Sequence, residues 1–350
     1  MKPKTQPAIF SAILAAVLFG VSSPVSKMLL TEIPPALMAA LLYLGAGIGI
    51  SFISLLRQVR AREQREAKIT RKEIPFVLAM IVLDIAAPVF LMVGLTLTTA
   101  ANASLLNNFE IVATSLIALF LFKESIGRRL WIAIALITLS SMILSVKDLH
   151  SFSFSLGSVF VLLACICWGF ENNCTRMLSL KNPMQVVIIK GFGSGLGSLL
   201  IALWLKEQPG PMGYILTALL LGFFAYGLSI FFYVSAQREL GAARTSAYYA
   251  IAPFVGVGFS FLLLRETPTA SFGLALLIMI AGAYFASTEK HEHIHAHPFI
   301  SHEHRHSHAD GHHHHVHDEP VTGEHSHLHT HEELVHVHSH TPDIHHVHAH

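Results

Sequence analysis

Residues 18–29 read LFGVSSPVSKML and residues 167–178 read CWGFENNCTRML. Aligned without a gap, Gly20 faces Gly169, Lys27 faces Arg176 and Met28-Leu29 faces Met177-Leu178. The correspondence continues downstream, where Gly45, Gly47 and Gly49 match Gly193, Gly195 and Gly197. Ala100-Ala101-Asn102-Ala103-Ser104 then matches Ala242-Ala243-Arg244-Thr245-Ser246, and both stretches end at a basic-acidic pair, Lys123-Glu124 and Arg265-Glu266. The chain is an internal duplication, so its fold follows from what one copy contains.

Each copy contains five apolar runs. They lie at 8–30, 36–56, 75–95, 101–122 and 129–146, and again at 156–177, 185–205, 213–235, 245–264 and 271–288. About 20 residues of helix cross about 30 Å of hydrocarbon, so ten crossings are expected. Uniformly apolar runs exclude a transmembrane barrel, whose strands alternate in polarity. Five is odd, so the second copy enters the membrane from the opposite face. The expected fold is an all-α polytopic membrane protein of ten transmembrane helices in two inverted five-helix repeats, 8–147 and 156–288. The first apolar run is longer than a signal-peptide core and has no clear cleavage site after it, so it reads as a retained anchor.

The composition agrees. Charged residues are 13% of the 350 residues and hydrophobic ones 53%. A soluble domain carries roughly 25% charged residues, which excludes an ordinary cytosolic enzyme. There is no P-loop, no H-E-x-x-H and no serine-nucleophile elbow, so no enzymatic role is expected. The three cysteines, Cys165, Cys167 and Cys174, fall on one apolar run at spacings that do not favour pairing.

Charge is distributed unevenly. Residues 291–350 hold 24 of the 25 histidines, nine acidic residues and one basic one, whereas residues 1–290 hold 22 basic against 13 acidic. With the N-terminus in the cytoplasm, 18 Lys or Arg flank that side and only Lys27, Lys147, Lys206 and Arg265 the other. The positive-inside rule therefore predicts a cell (inner) membrane protein with both termini cytoplasmic. The basic link RQVRAREQREAKITRKEI at 57–74 is expected to meet anionic lipid rather than nucleic acid.

The two copies, the Trp168-Gly169 pair, the run GAARTSAYYAIAP at 241–253 and the terminal Arg265-Glu266 resemble the EamA family of the drug/metabolite transporter superfamily. The resemblance spans about 8–288. It implies ten helices, export or exchange of small organic metabolites, and coupling to protons or substrate gradients. It leaves the substrate open.

A charged side chain near a helix centre costs about 2.5–3.5 kcal/mol on insertion scales, so it should face a partner or an aqueous cavity. Asp84, Glu110, Glu171 and Lys190 are the candidates. Glu171 shares a helical face with Cys167 and Cys174 and reads either as a proton- or cation-binding carboxylate or as one neutralised by Lys190 or Arg176. Glu110 shares a face with Asn107, and its repeat counterpart is Ala252; the counterpart of Asp84 is Tyr226. Pro253 is expected inside the ninth helix, preceded by Tyr248 and Tyr249, which offer rings and hydroxyls to an organic solute or simply pack. Gly193 and Gly197, like Gly45 and Gly49, have the spacing that permits close helix contact.

The tail 291–350 lacks the apolar residues for a core and is expected to be disordered and cytoplasmic. Its H-x-H spacing with adjacent carboxylates suits Zn, Ni, Co or Cu. Candidate ligands are His291, His293, His295, His297, His302, His304, His306, His308, His312, His313, His314, His315, His317, His325, His327, His329 and His331. No cofactor is expected for transport itself. Expected partners are membrane lipids, a small-molecule substrate, protons or divalent metals, and a second copy in a homodimer. Divalent-metal export and a metal-responsive membrane scaffold remain the alternatives to organic-solute export.

Overall fold

The computed structural model describes residues 5–60, 69–122, 126–148, 153–176, 178, 181–240, 245, 248–288, 292–297, 300–306, 325–331 and 334–339. The first repeat comprises α1 (Thr5–Gly20) and α2 (Ser22–Leu29), α3 (Pro35–Arg60), α4 (Ile74–Leu97), α5 (Ala100–Leu106) with α6 (Phe109–Phe122), and α7 (Arg128–Ser145). The second comprises α8 (Leu156–Arg176), α9 (Pro183–Trp204), α10 (Met212–Gly222) running through a π-helical stretch, Phe223–Leu228, into α11 (Ser229–Leu240), then α12 (Ala252–Leu264) and α13 (Ala270–Ser287). Among the described residues nine helical stretches are long and apolar enough to span a membrane, and α12 is a shorter apolar helix. The ten-helix architecture is thus an observed one.

The packing has the symmetry of an inverted repeat. The second crossing, α3, packs along the seventh, α9; the fifth, α7, packs along the tenth, α13; and α5 of the fourth packs on α12 of the ninth. The third crossing packs on the sixth (α4 on α8), and, as its mirror, the eighth packs on the first (α11 on α1). Each repeat therefore completes its core on the other.

Glycines set the closest approach. A Cβ on Gly191 would sit 2.5 Å from Gly47 Cα, so α3 and α9 meet backbone to backbone. Gly193 and Gly197 face Ile81 and Ile85 of α4 instead, while Gly45 and Gly49 face Leu219 and Phe223. The glycine stripe of α9 thus serves two neighbours.

Two expectations need correction, a kink at Pro253 and unbroken fourth and ninth crossings. Pro253 is the second residue of α12 and not an interior kink: the first turn has no intrahelical acceptor for its N–H groups, so a proline costs nothing there. The ninth crossing is consequently a short helix preceded by a turn at 250–251, and the fourth breaks likewise at Asn107-Asn108 between α5 and α6. Two broken crossings occupy equivalent places in the two repeats.

In the tail, the described residues pair in two antiparallel ladders, Glu292–His297 with Leu334–Ser339 and Ile300–His306 with His325–His331. An H-x-H sequence has the two-residue period of a strand, and pairing satisfies its backbone N–H and C=O groups. The register sets His293 opposite His338, His295 opposite His336, His302 opposite His329, and His304 opposite His327. His291, His308, His312, His313, His314, His315 and His317 lie outside the described residues. A further two-stranded pair, Val146–Asp148 with Ser153–Phe154, joins the two repeats.

Candidate functional site

Three of the four candidate ionisable residues, carried on three different helices, come together where the repeats meet. Lys190 Nζ of α9 lies 3.1 Å from Asp84 Oδ2 of α4 and 3.0 Å from Glu171 Oε1 of α8. Asp84 is 0% exposed, Glu171 2% and Lys190 9%, so one ammonium bridges two carboxylates away from water. In a medium of low dielectric, removing any one charge leaves the others uncompensated, which makes the cluster a coupled unit.

Neighbours fix its geometry. Tyr43 of α3 donates its hydroxyl to Asp84 Oδ1 at 2.9 Å, and Thr175, one turn along α8, donates to Glu171. Pro88 lies within α4 four residues after Asp84 and has no N–H to return to the Asp84 carbonyl. Sequence reasoning missed Tyr43. A lone tyrosine in an apolar helix reads as packing, and its position beside Gly45 and Gly47 was the only local cue.

Glu110 joins the periphery of the cluster. Asn172, the residue after Glu171, donates Nδ2 to Glu110 Oε1 at 2.7 Å and to Thr114 Oγ1 at 3.2 Å. Glu110 is the second residue of α6, so the broken fourth crossing puts a helix N-terminus, favourable to anions, at this carboxylate. Asn107 is buried with its Oδ1 unpartnered and is not hydrogen-bonded to the cluster.

The two tyrosines of 248–249 part ways. Tyr248 packs against Ala8, Ala12 and Ala236. Tyr249 extends a file of rings: its centroid is 5.9 Å from Phe19, which is 5.8 Å from Tyr226, which in turn is 5.3 Å from Tyr43. The file ends at the hydroxyl that holds Asp84.

The site breaks the symmetry of the duplication. In the gap-free alignments Glu171 corresponds to Ser22, Lys190 to Leu42 and Asp84 to Tyr226. All three counterparts are buried as well, and Tyr226 meets the charged set through Tyr43. One face of the pseudo-twofold therefore carries charges and the other a neutral copy of the same positions.

Cys167 and Cys174 do not join Glu171 in a metal-ligand group. Among the described residues no three His, Cys, Asp or Glu side chains converge to hold a metal, and Glu171 is taken up by Lys190 and Thr175. Cys165 is fully buried and its thiol points at Leu106 O at 3.6 Å. All three cysteines are free thiols.

At the end of the bundle where α4 and α9 begin, Lys181 Nζ is 3.4 Å from Glu73 Oε1 and ties the two repeats together. Partial burial alone would raise the Glu73 carboxyl, but the hydroxyl and N–H of Thr70, each 2.6 Å from Glu73 Oε2, together with Lys181 hold it below its ordinary value.

Comparison with known proteins bears on the two-repeat architecture. A protein of Methanothermobacter thermautotrophicus (strain Delta H), described as an uncharacterized transporter, is 28% identical over 292 residues, covering 78% of this chain and 84% of its own. A solved crystal structure of a protein overlays with a TM-score of 0.58 over 80% of this chain and 95% of its own; at 16% identity that likeness speaks for the fold alone. The EamA-like transporter family matches twice, at 6–146 and 155–288, the same two halves that the packing pairs. The chain therefore belongs to the EamA-like transporter family and is a multi-pass membrane transporter built from two EamA repeats.

Proposed function

We propose that this protein is a secondary exporter of small organic metabolites, and that the Asp84-Lys190-Glu171 cluster is where solute and coupling ion act. The observation that carries the reading is the position of the cluster. It joins α4 of one repeat to α8 and α9 of the other, the interface that must rearrange if inverted repeats exchange conformations. Among the described residues two buried carboxylates share one buried ammonium, and the half-buried Glu110, bonded to Asn172, adds a third carboxylate at the edge of the set. The excess negative charge favours protons or a cationic group as the exchanging species. The aromatic file from Tyr43 to Tyr249 supplies apolar surface for an organic solute.

Both termini are assigned to the cytoplasm on the distribution of basic residues. Reporter fusions at residue 150 and at the C-terminus should report opposite sides; the same side for both would overturn the ten-crossing map.

The histidine tail favours a second activity, divalent-metal binding, because H-x-H runs supply imidazoles at ligand spacing. Metal export is the rival reading for the whole protein. Uptake into inverted vesicles, across a panel of organic metabolites and Zn, Ni, Co and Cu, with full-length protein and with a chain ending at Lys290, separates them. The expected result is organic-solute flux that survives truncation while metal stoichiometry falls by most of its value. Metal flux that disappears with the tail, without any organic-solute flux, would establish the rival. Metal binding should weaken as pH falls through the imidazole range, because protonation removes the donor lone pair.

A further inference from the structure

Among the described residues, only Lys206 and Arg265 outside glycine have positive φ, at 55° and 52°. Each directly follows or closely follows the end of a second-repeat helix, α9 or α12, and each directly precedes a glutamate. Both glutamates do the same thing. Glu207 Oε2 accepts from Leu37 N at 2.7 Å and Oε1 from Ala36 N at 3.3 Å, at the N-terminus of α3. Glu266 Oε1 accepts from Ala100 N at 2.7 Å and Oε2 from Ala101 N at 2.9 Å, at the start of the fourth crossing. In both cases a carboxylate of the second repeat grips two otherwise unpaired N–H groups of a first-repeat helix, with the helix dipole in its favour.

The left-handed turn is what aims each glutamate. Lys206 N bonds to Leu203 O at 3.0 Å and Glu207 N to Ala202 O at 2.9 Å, so the chain reverses sharply and turns the Glu207 side chain across the repeat boundary. Nearby, Lys27 donates to the carbonyls of Leu95 and Thr98, closing the end of α4 shortly before Ala100, where the Glu266 contact begins. Both grips lie after odd-numbered crossings, the seventh and the ninth. They share the face of the bundle opposite the chain ends, and both join one repeat to the other.

We propose that Glu207 and Glu266 form a paired latch that holds this face closed, and that their joint release from the N-termini of the second and fourth crossings opens it. The latch rests on the alternating-access reading above. A single grip would leave one crossing free to swing; two, on helices that both flank the repeat interface, close the face as a unit. Conversely, charge-assisted bonds confined to the rim leave the buried cluster to respond to solute and ion.

The test is one-sided labelling. Ser104 lies one turn beyond the Glu266 grip, 2% exposed, with its Oγ beside Gly256. A full-length chain carrying Ser104→Cys, with Cys165, Cys167 and Cys174 replaced by Ala, is exposed to a membrane-impermeant methanethiosulfonate in right-side-out and in inside-out vesicles. Combining Glu207→Gln and Glu266→Gln should raise the labelling rate about tenfold or more from the latch face only, since four charge-assisted bonds lose their charge. Unchanged labelling, or equal acceleration from both faces as unfolding would give, overturns the latch. Lys206→Gly and Arg265→Gly keep the carboxylates and relax the turns, so labelling should stay at or below the parent rate; acceleration to the level of the Gln pair would also overturn it. Solute exchange by the unaltered protein reports on the transport reading separately. One-sided acceleration without any flux would keep the latch and reject transport, and flux with unchanged labelling would reject the latch alone.

Discussion

Lys190→Met is expected to destabilise the membrane domain by about 3–5 kcal/mol, because it leaves the Asp84 and Glu171 carboxylates buried without their shared counter-charge. Thermal unfolding in detergent, followed by a probe of helix content, should show a clearly lower midpoint. Adding Asp84→Asn and Glu171→Gln to Lys190→Met removes the stranded charges and should restore most of the stability, since a buried ion-pair set replaced as a whole is often neutral. Transport should remain absent in that triple variant. An unchanged midpoint for Lys190→Met would mean that the three groups are not interdependent as their spacing requires.

Glu171→Gln is expected to abolish pH-driven flux while leaving a folded protein in the membrane. Gln matches Glu in size and keeps an amide oxygen to accept from Lys190 and Thr175, but it cannot exchange a proton. Asp84 still neutralises Lys190 in this variant, so the stability cost should be well below that of Lys190→Met. Initial rates of solute uptake in inverted vesicles at several imposed pH gradients give the readout. Wild-type flux with unchanged pH dependence would remove Glu171 from the coupling step and turn attention to Glu110, which Asn172 connects to the same helix.

The two variants separate roles that the geometry superimposes. Lys190 is bound to two partners on two helices, so its loss is felt first as misfit between repeats. Glu171 has one charged partner that Asp84 also serves, so its loss is felt first in chemistry. A family resemblance carries neither distinction, and both rest on which oxygen each nitrogen meets.

How much was legible beforehand follows from what each feature depends on. Number of crossings and inverted duplication rest on local apolarity and chain order, which are properties of the string itself. The matched pairs Gly20 with Gly169 and Arg265-Glu266 with Lys123-Glu124 were enough to establish the repeat, because a duplication leaves its register in the residues. The intramembrane charges could also be picked out, since each is costly in hydrocarbon and needs an explanation wherever it stands.

Which of those charges meet is another matter. Asp84, Glu171 and Lys190 lie on the third, sixth and seventh crossings, and only the packing of α4 on α8 and α9 brings both carboxylates within 3.1 Å of the ammonium. Tyr43 and Tyr226 look like filling until the crossing at Gly47 and Gly191 sets α3 against α9 and the tyrosine ring beside Asp84. Pro253 reads as a kink until the preceding turn makes it a helix start, and Glu207 and Glu266 read as loop charges until left-handed turns carry them to another helix's N-terminus. The periodicity of a chain specifies what each segment must bury and in which solvent. Contacts between segments far apart in the chain depend on helix crossing and turn direction, which are settled only when all ten crossings satisfy one another at once.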